Sequence, residues 1–286
     1  MPQFRILSPA RLLPPWLLDT LRSSVGAEIA VQTYAGEEES RSLLAGHAFE
    51  LAALPDTAIL PSLRENLLLP LAGAVSDPLP GEPEFLHHYF DPANRFAWPF
   101  GFTLLAIGGP GTPAEVPGHW KDLASGRIPF RPPDSRIVSR CLRAALATGF
   151  PPSPAAVAQA GPESGPAPGD ARIEVDFVQQ LEIRRRAGGW TVRVPSEGSW
   201  IRLFHWTLPR GCADAKAAGA VLQALYRPDN LGRATAEAML AVTAREARQA
   251  VPAELLRNPE IYPPQSLLDL CVFARVDWLA PLAGAA

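Results

Sequence analysis

The chain has 286 residues, 47% of them hydrophobic and 19% charged, with a formal net charge of −3. That composition supplies a core of ordinary size and gives no support for nucleic acid held through bulk charge. No uncharged apolar run reaches the ~18 residues of a membrane span, and three cysteines without ligand spacing support neither a disulfide framework nor a zinc site.

The length suits one large domain or two lobes of roughly 100–150 residues. Phe4–Leu7 reads as a strand with no basic segment and apolar stretch before it. The chain is therefore cytoplasmic, the mature part of an exported protein, or begun at a misassigned methionine. Trp16–Ser23 forms an amphipathic helix, Glu28–Thr33 a strand, Ser40–Ala45 a short helix closed by Gly46, and Phe49–Leu54 a third strand. Strands alternating with helices predict a parallel sheet whose C-terminal strand ends gather ligands. Ser8–Arg11, Tyr34–Glu39 and Asp56–Thr57 would then share one rim.

An aromatic loop leads into the apolar strand Phe102–Ile107, and His119–Ser125 fits a short helix. Asp134–Thr148 reads as a longer helix, with Asp134 or Ser135 as N-cap and Gly149 past its end. Phe150–Asp170 is a Pro/Ala/Gly linker without secondary structure. Ile173–Ile183 passes from strand to helix, and Trp190–Val194 is a strand. In Trp200–Thr207 the side chains of Trp200, Arg202, Phe204 and Trp206 point one way, and Ile201, Leu203, His205 and Thr207 the other. An Ala-rich helix with Asp214 in its first turn follows, and Thr235–Gln249 and Pro263–Trp278 read as helical.

Three stretches taken in order resemble the periplasmic substrate-binding proteins of polyamine-type (spermidine/putrescine) ABC importers. They are FRILSPARLLPPWLL at Phe4–Leu18, FDPANRFAWPFGFTLLAIG at Phe90–Gly108, and Val194–Pro228 with its P-S-E-G turn and RP pair. The resemblance implies an α/β, two-lobed (type II) periplasmic-binding-protein-like fold. Each lobe would be a mixed, mostly parallel sheet flanked by helices, with the ligand cleft between lobes. It implies residues 1–101 with 204–250 as lobe one, and 102–203 with 251–286 as lobe two, shortened by the linker at 150–170. It also implies a small-molecule ligand, an ABC permease as partner, a periplasmic location, a monomer, and no catalysis, cofactor or metal.

The family's polyamine contacts do not carry over. Its Trp and acidic positions in the first loop align with Pro9 and Arg11, and those on the late strand with Arg202 and Phe204. A guanidinium repels an ammonium and forks onto a carboxylate or phosphonate. Arg202 is thus the leading ligand contact, with Arg11 second and Phe204 as a wall. For both arginines the alternative is an ion pair or a snorkelled surface position. Asp56 and Thr57 line the rim or cap the next helix. Phe177 falls in the second lobe's aromatic slot, beside Asp176, Gln179 and Gln180, and is either a stacking platform or core.

His87 and His88 are adjacent and lack a third ligand, which argues against a metal. GGPGTP at Gly108–Pro113 lacks a phosphate-loop lysine and reads as a turn. Arg184–Arg186 reads as a solvated helix end. Cys141 and Cys271 read as buried thiols. The rival reading is an enzyme resembling thiaminase, which needs a cleft cysteine of lowered pKa; Cys212 is its nearest candidate. A degenerate member acting as a partner scaffold is the third.

Overall fold

The computed structural model describes residues 3–75, 78–160 and 172–278. β1 (Gln3–Pro9), α1 (Pro15–Val25), β2 (Glu28–Tyr34), α2 (Glu37–Gly46), β3 (Leu51–Pro55) and α3 (Asp56–Arg64) alternate along the first stretch. α1 starts on Pro15, whose missing N–H costs nothing there, and stops at Gly26 in the left-handed region at φ 63. Its Leu17 and Leu21 are buried. Then come β4 (Leu68–Leu69), β5 (Ala97–Pro110), α4 (Trp120–Ala124), β6 (Phe130–Arg131), α5 (Arg136–Thr148), α6 (Pro154–Gln159), β7 (Ile173–Phe177) and α7 (Val178–Ala187). β8 (Trp190–Arg193), β9 (Trp200–Pro209), α8 (Ala215–Leu225), α9 (Pro228–Glu237), β10 (Ala241–Val242), α10 (Ala253–Leu256), α11 (Gln265–Leu268) and β11 (Val272–Phe273) complete the order.

The chain divides into two compact units. The first holds residues 1–102 and 203–256. Its β1 pairs in parallel with β2, from Gln3↔Glu28 to Pro9↔Tyr34, and with β3 at Ile6↔Leu51. β9 then runs antiparallel to β3 (Ala52↔Thr207, Pro55↔Phe204), and β10 antiparallel to β5 (Ala241↔Phe102). Leu7, Phe49, Leu54, Ile59, Phe90 and Ala97 form a core on this sheet. Phe204 and Trp206 both meet Phe100, at 6.1 and 5.2 Å between ring centroids. His205, on the opposite face, meets Phe90 at 5.2 Å.

The second unit holds residues 103–202 and 257–286. Here β5 is antiparallel to β7 (Leu105↔Phe177) and β8 (Ile107↔Arg193), β6 is parallel to β7, and β11 is parallel to β9 (Val272↔Trp200). α5 covers this sheet with Ile137, Val138, Cys141 and Leu142, packed with Trp120, Val157, Phe177 and Trp200. Ser135 is its cap, accepting from the Val138 N–H, and Gly149 ends it at φ 96.

Four sequence expectations are corrected. The second helix starts at Glu37 rather than Ser40, because Glu37, Glu38 and Glu39 complement the positive end of its dipole. Part of the 150–170 linker is ordered as α6, capped by Ser153 and anchored through buried Val157; residues 161–171 lie outside the described residues. Thr235–Gln249 is not one helix. Met239 sits at φ 57, Ala241–Val242 pair with β5, and Arg245–Ala250 form a 3₁₀ turn. Sheet pairing outweighs the helical propensity of that Ala-rich run. That turn approaches α9 so closely that a Cβ on Gly232 would lie 2.1 Å from the Ala247 carbonyl oxygen. Pro263–Trp278 is not one helix: α11 covers only Gln265–Leu268, and Val272 and Phe273 join β9 instead.

Candidate ligand-binding site

In the first unit the C-terminal ends of the parallel strands share one edge of the sheet: Pro9 stands beside Tyr34, and Pro55 beside Phe204. The rim residues named from the sequence fall there. Arg11 is exposed and sits at φ 69 in the turn after β1. Asp56 and Thr57 are buried at the start of α3, with Pro55 in the capping position. Pro55 offers that helix no side-chain cap, and the Thr57 hydroxyl donates to Glu37 Oε1 at 2.7 Å. Tyr34 donates its hydroxyl to the Ala53 carbonyl at 2.7 Å, which fixes β2 to β3 at the same edge. Phe204 is buried against Phe100. A separate cavity of about 370 Å³, between Leu79, Pro80, Tyr226, Pro228 and Glu246, contains none of these residues.

In the second unit the junction of β7 and α7 gathers the remaining candidates. Phe177 is buried, and the Arg202 guanidinium lies over its ring with Cζ 3.7 Å from the centroid. Such stacking on an aromatic face suits a delocalised cation. Asp176 Oδ1 accepts the Phe177 N–H at 2.7 Å. Burial pushes the Asp176 carboxyl above its usual range, opposed by that N–H and by the Arg202 charge. The Gln179 N–H donates to Thr103 Oγ1 at 3.4 Å, tying the start of α7 to β5. Sequence reasoning noted Asp176 only as a neighbour of Phe177; its coupling to Arg202, 26 positions later in the sequence numbering, has no local signal.

Two of the sequence stretches that carried the resemblance hold turns together. In FDPANR, the buried Asp91 carboxylate accepts N–H groups from Arg95, Phe96 and Ala97 at 2.9, 2.7 and 3.0 Å. In PSEG, Glu197 accepts the Trp120 N–H at 2.6 Å and hydrogen-bonds His119 at 2.8 Å. Glu197 thereby serves the N-terminus of a five-residue helix that would be marginal alone. Gly198, at φ 103, leaves no room for a side chain: a Cβ would lie 2.3 Å from the Leu270 carbonyl oxygen.

The cysteines do not meet the requirement of the enzymatic reading. All three thiols are free, and burial is the leading cause that pushes each one up: Cys141 to about 12, Cys271 to about 11, and Cys212 with added repulsion from Glu50 and Asp214. His87 hydrogen-bonds the Pro92 carbonyl and Asn94, while His88 stacks on Phe90. Of GGPGTP, Gly108–Pro110 still belong to β5 and pair with β8, so the expected turn begins only at Gly111, where the Thr112 N–H and hydroxyl both donate to Glu115. Arg184 pairs with Glu174 and lies over Trp190, and Arg185 pairs with buried Glu182.

Solved structures share this arrangement along nearly the whole chain. The spermidine/putrescine ABC transporter substrate-binding protein PotD of Streptococcus pneumoniae superposes with a TM-score of 0.78 at 17% identity, covering 99% of this chain and 97% of that one. The fold is that of a substrate-binding protein. The TpPotD lipoprotein of Treponema pallidum gives 0.77 at 14% identity, with 99% and 96% covered. The binding protein AgtB of Agrobacterium tumefaciens R10, solved with agropinic acid, gives 0.69 at 13% identity, with 100% and 96% covered. No protein-family model matches the sequence, and no curated protein does. Among these neighbours the same fold thus serves named polyamine transporters and a protein holding agropinic acid.

Proposed function

We propose that the chain is the solute-binding component of an ABC-type importer, clamping a small organic ligand that bears a carboxylate or phosphonate. The observation that supports this most is Arg202, a guanidinium seated on Phe177 at the start of β9. A guanidinium recognises a carboxylate or phosphonate bidentately and repels a polyamine. In this reading residues 1–101 with 204–250 and residues 102–203 with 251–286 are the two lobes. β5 and β9, which pass from one compact unit to the other, act as the hinge. Phe177 and Phe204 serve as apolar walls, and Arg11, Asp56, Thr57 and Gln179 as polar contacts. Ligand contacts from both lobes favour the closed state. The protein acts as a periplasmic monomer, delivers its ligand to a membrane permease, and performs no chemistry on it.

Thermal-shift screening tests the reading. Carboxylates or phosphonates raise the melting temperature, while spermidine and putrescine leave it unchanged. Stabilisation by the polyamines alone would sink it.

A further inference from the structure

We propose that the cavity of the first unit is a second binding site, which takes a small amine with a compact apolar body and holds its ammonium group on Glu246. Its volume, about 370 Å³, lies at the small end of the roughly 300–1,000 Å³ of ligand pockets, which suits a small molecule. Hydrogen bonds tie its walls in place. One wall is the segment Leu79–Gly81, anchored at both edges. The Glu82 N–H donates to the Thr243 carbonyl at 2.8 Å, Arg248 Nη2 donates to Glu82 Oε2 at 2.6 Å, and Trp98 Nε1 donates to the Pro80 carbonyl at 3.1 Å. Another wall, Tyr226, donates its hydroxyl to the Trp98 and Pro99 carbonyls at 3.0 and 2.9 Å.

Those bonds leave a lining of one sign. Leu79, Pro80, Pro228, Ala247 and the Tyr226 ring are apolar surface, and among the described residues Glu246 is the one lining residue with a charged side chain. No hydrogen bond or ion pair engages its carboxylate among those residues. Burial holds the Tyr226 hydroxyl well above its ordinary value, so that group stays neutral. Beside the cavity, the carboxylates of Glu82, Glu84 and Glu246 meet the guanidiniums of Arg245 and Arg248, a sum of −1 (−3 + 2). Glu82 and Arg248 pair with each other. A single cation balances that sum, whereas an anion adds to it. The tyrosine face suits the same cation, and the proline, leucine and alanine surface takes its carbon body. None of these residues serves the ligand contacts proposed above, so the site is independent of them.

Two-dimensional NMR of the full chain with three probes that share a phenyl-ethyl body tests this: phenethylamine, phenethyl alcohol and phenylpropanoate. Phenethylamine moves the amide signals of Gly81 and Ala247 with a dissociation constant at least tenfold below that of the alcohol, and phenylpropanoate leaves both signals in place. In Glu246→Gln, an exposed position, the amine binds at least tenfold more weakly. The melting temperature of that variant, and its response to carboxylates and phosphonates, match wild type. Phenylpropanoate moving these signals as readily as the amine overturns the charge argument. Equal affinity for amine and alcohol, or equal affinity of wild type and variant for the amine, removes Glu246 as the anchor and overturns the proposal. Signals of Gly81 and Ala247 that no probe moves overturn it as well, and leave the solute-binding reading untouched.

Discussion

The two compact units differ in the buried groups that make stability depend on pH near neutrality. In the first, the buried bases are imidazoles: burial holds His205 well below its ordinary value and lowers His88 as well. In the second, burial raises carboxyls: Glu260, which accepts the Val194 N–H at 2.6 Å, is pushed up to about 7, and Asp176 is raised above its ordinary value. Glu82 of the first unit is also raised, but the Arg248 charge pulls it back. The difference teaches that acid and base act on different halves of the molecule. Below 6.5 the unfolded chain takes up protons that native His205 refuses, so the first unit weakens as pH falls. Between 4.5 and about 7 native Glu260 keeps a proton that the unfolded chain releases, so the second unit weakens as pH rises through that window.

The strongest way to break this comparison is to cripple one unit without touching the other. Phe204→Ala removes a buried ring packed on Phe100 and costs about 3–5 kcal/mol. Hydrogen exchange resolved by segment then shows protection lost in β1 and β3 before α5; uniform loss would show that the units do not open separately. Next in size is the acid effect. Exchange protection of β3 and β9 falls by up to about 2 kcal/mol on going from pH 7 to pH 5, the linkage limit for one imidazole with an unfolded value near 6.5. In His205→Leu this dependence flattens, and a slope equal to wild type refutes the assignment.

Glu260→Gln sharpens the other half. Gln keeps an acceptor for the Val194 N–H and has no proton to lose. The variant therefore gains on wild type by about 1–2 kcal/mol at pH 8 and by little at pH 5, after allowance for the residue's partial exposure. Urea midpoints at the two pH values decide it, and equal differences at both would exclude Glu260 as the source. Smallest is Arg202→Gln. The side chain is half-buried and stacked on Phe177, so unliganded stability falls by about 0.5–1 kcal/mol. A melting temperature that falls by many degrees would make Arg202 a structural residue.

What could be read from the sequence follows from how locally each feature is determined. The β1–α1–β2–α2–β3 alternation is visible because each helix carries its own signals: Pro15 and Gly26 bracket α1, and Ser135 and Gly149 bracket α5. Period-two alternation in β9 correctly separates Phe204 and Trp206, on Phe100, from His205, on Phe90. Misreadings arise where a distant partner decides. Ala241–Val242 reads as helix until β5 claims it, and α6 is ordered by Arg140, whose guanidinium donates to the Ala158 and Ala160 carbonyls. The candidate site is legible as residue types and not as contacts. Arg202 and Phe177 stand out singly, but their stacking and the Asp176 charge depend on β7 and β9 reaching the same place.

The pairing of β3 with β9 also sets a schedule for synthesis. Leu54 stands opposite His205, 151 positions later in the chain (205 − 54). At roughly 5–20 residues per second, β3 emerges from the ribosome roughly 8–30 s before the strand that covers its open edge. Through that interval Leu51–Pro55, buried at every position in the native state, presents unpaired backbone groups beside an apolar surface. The newborn chain therefore needs a chaperone, or low concentration, for longer than its size alone would require.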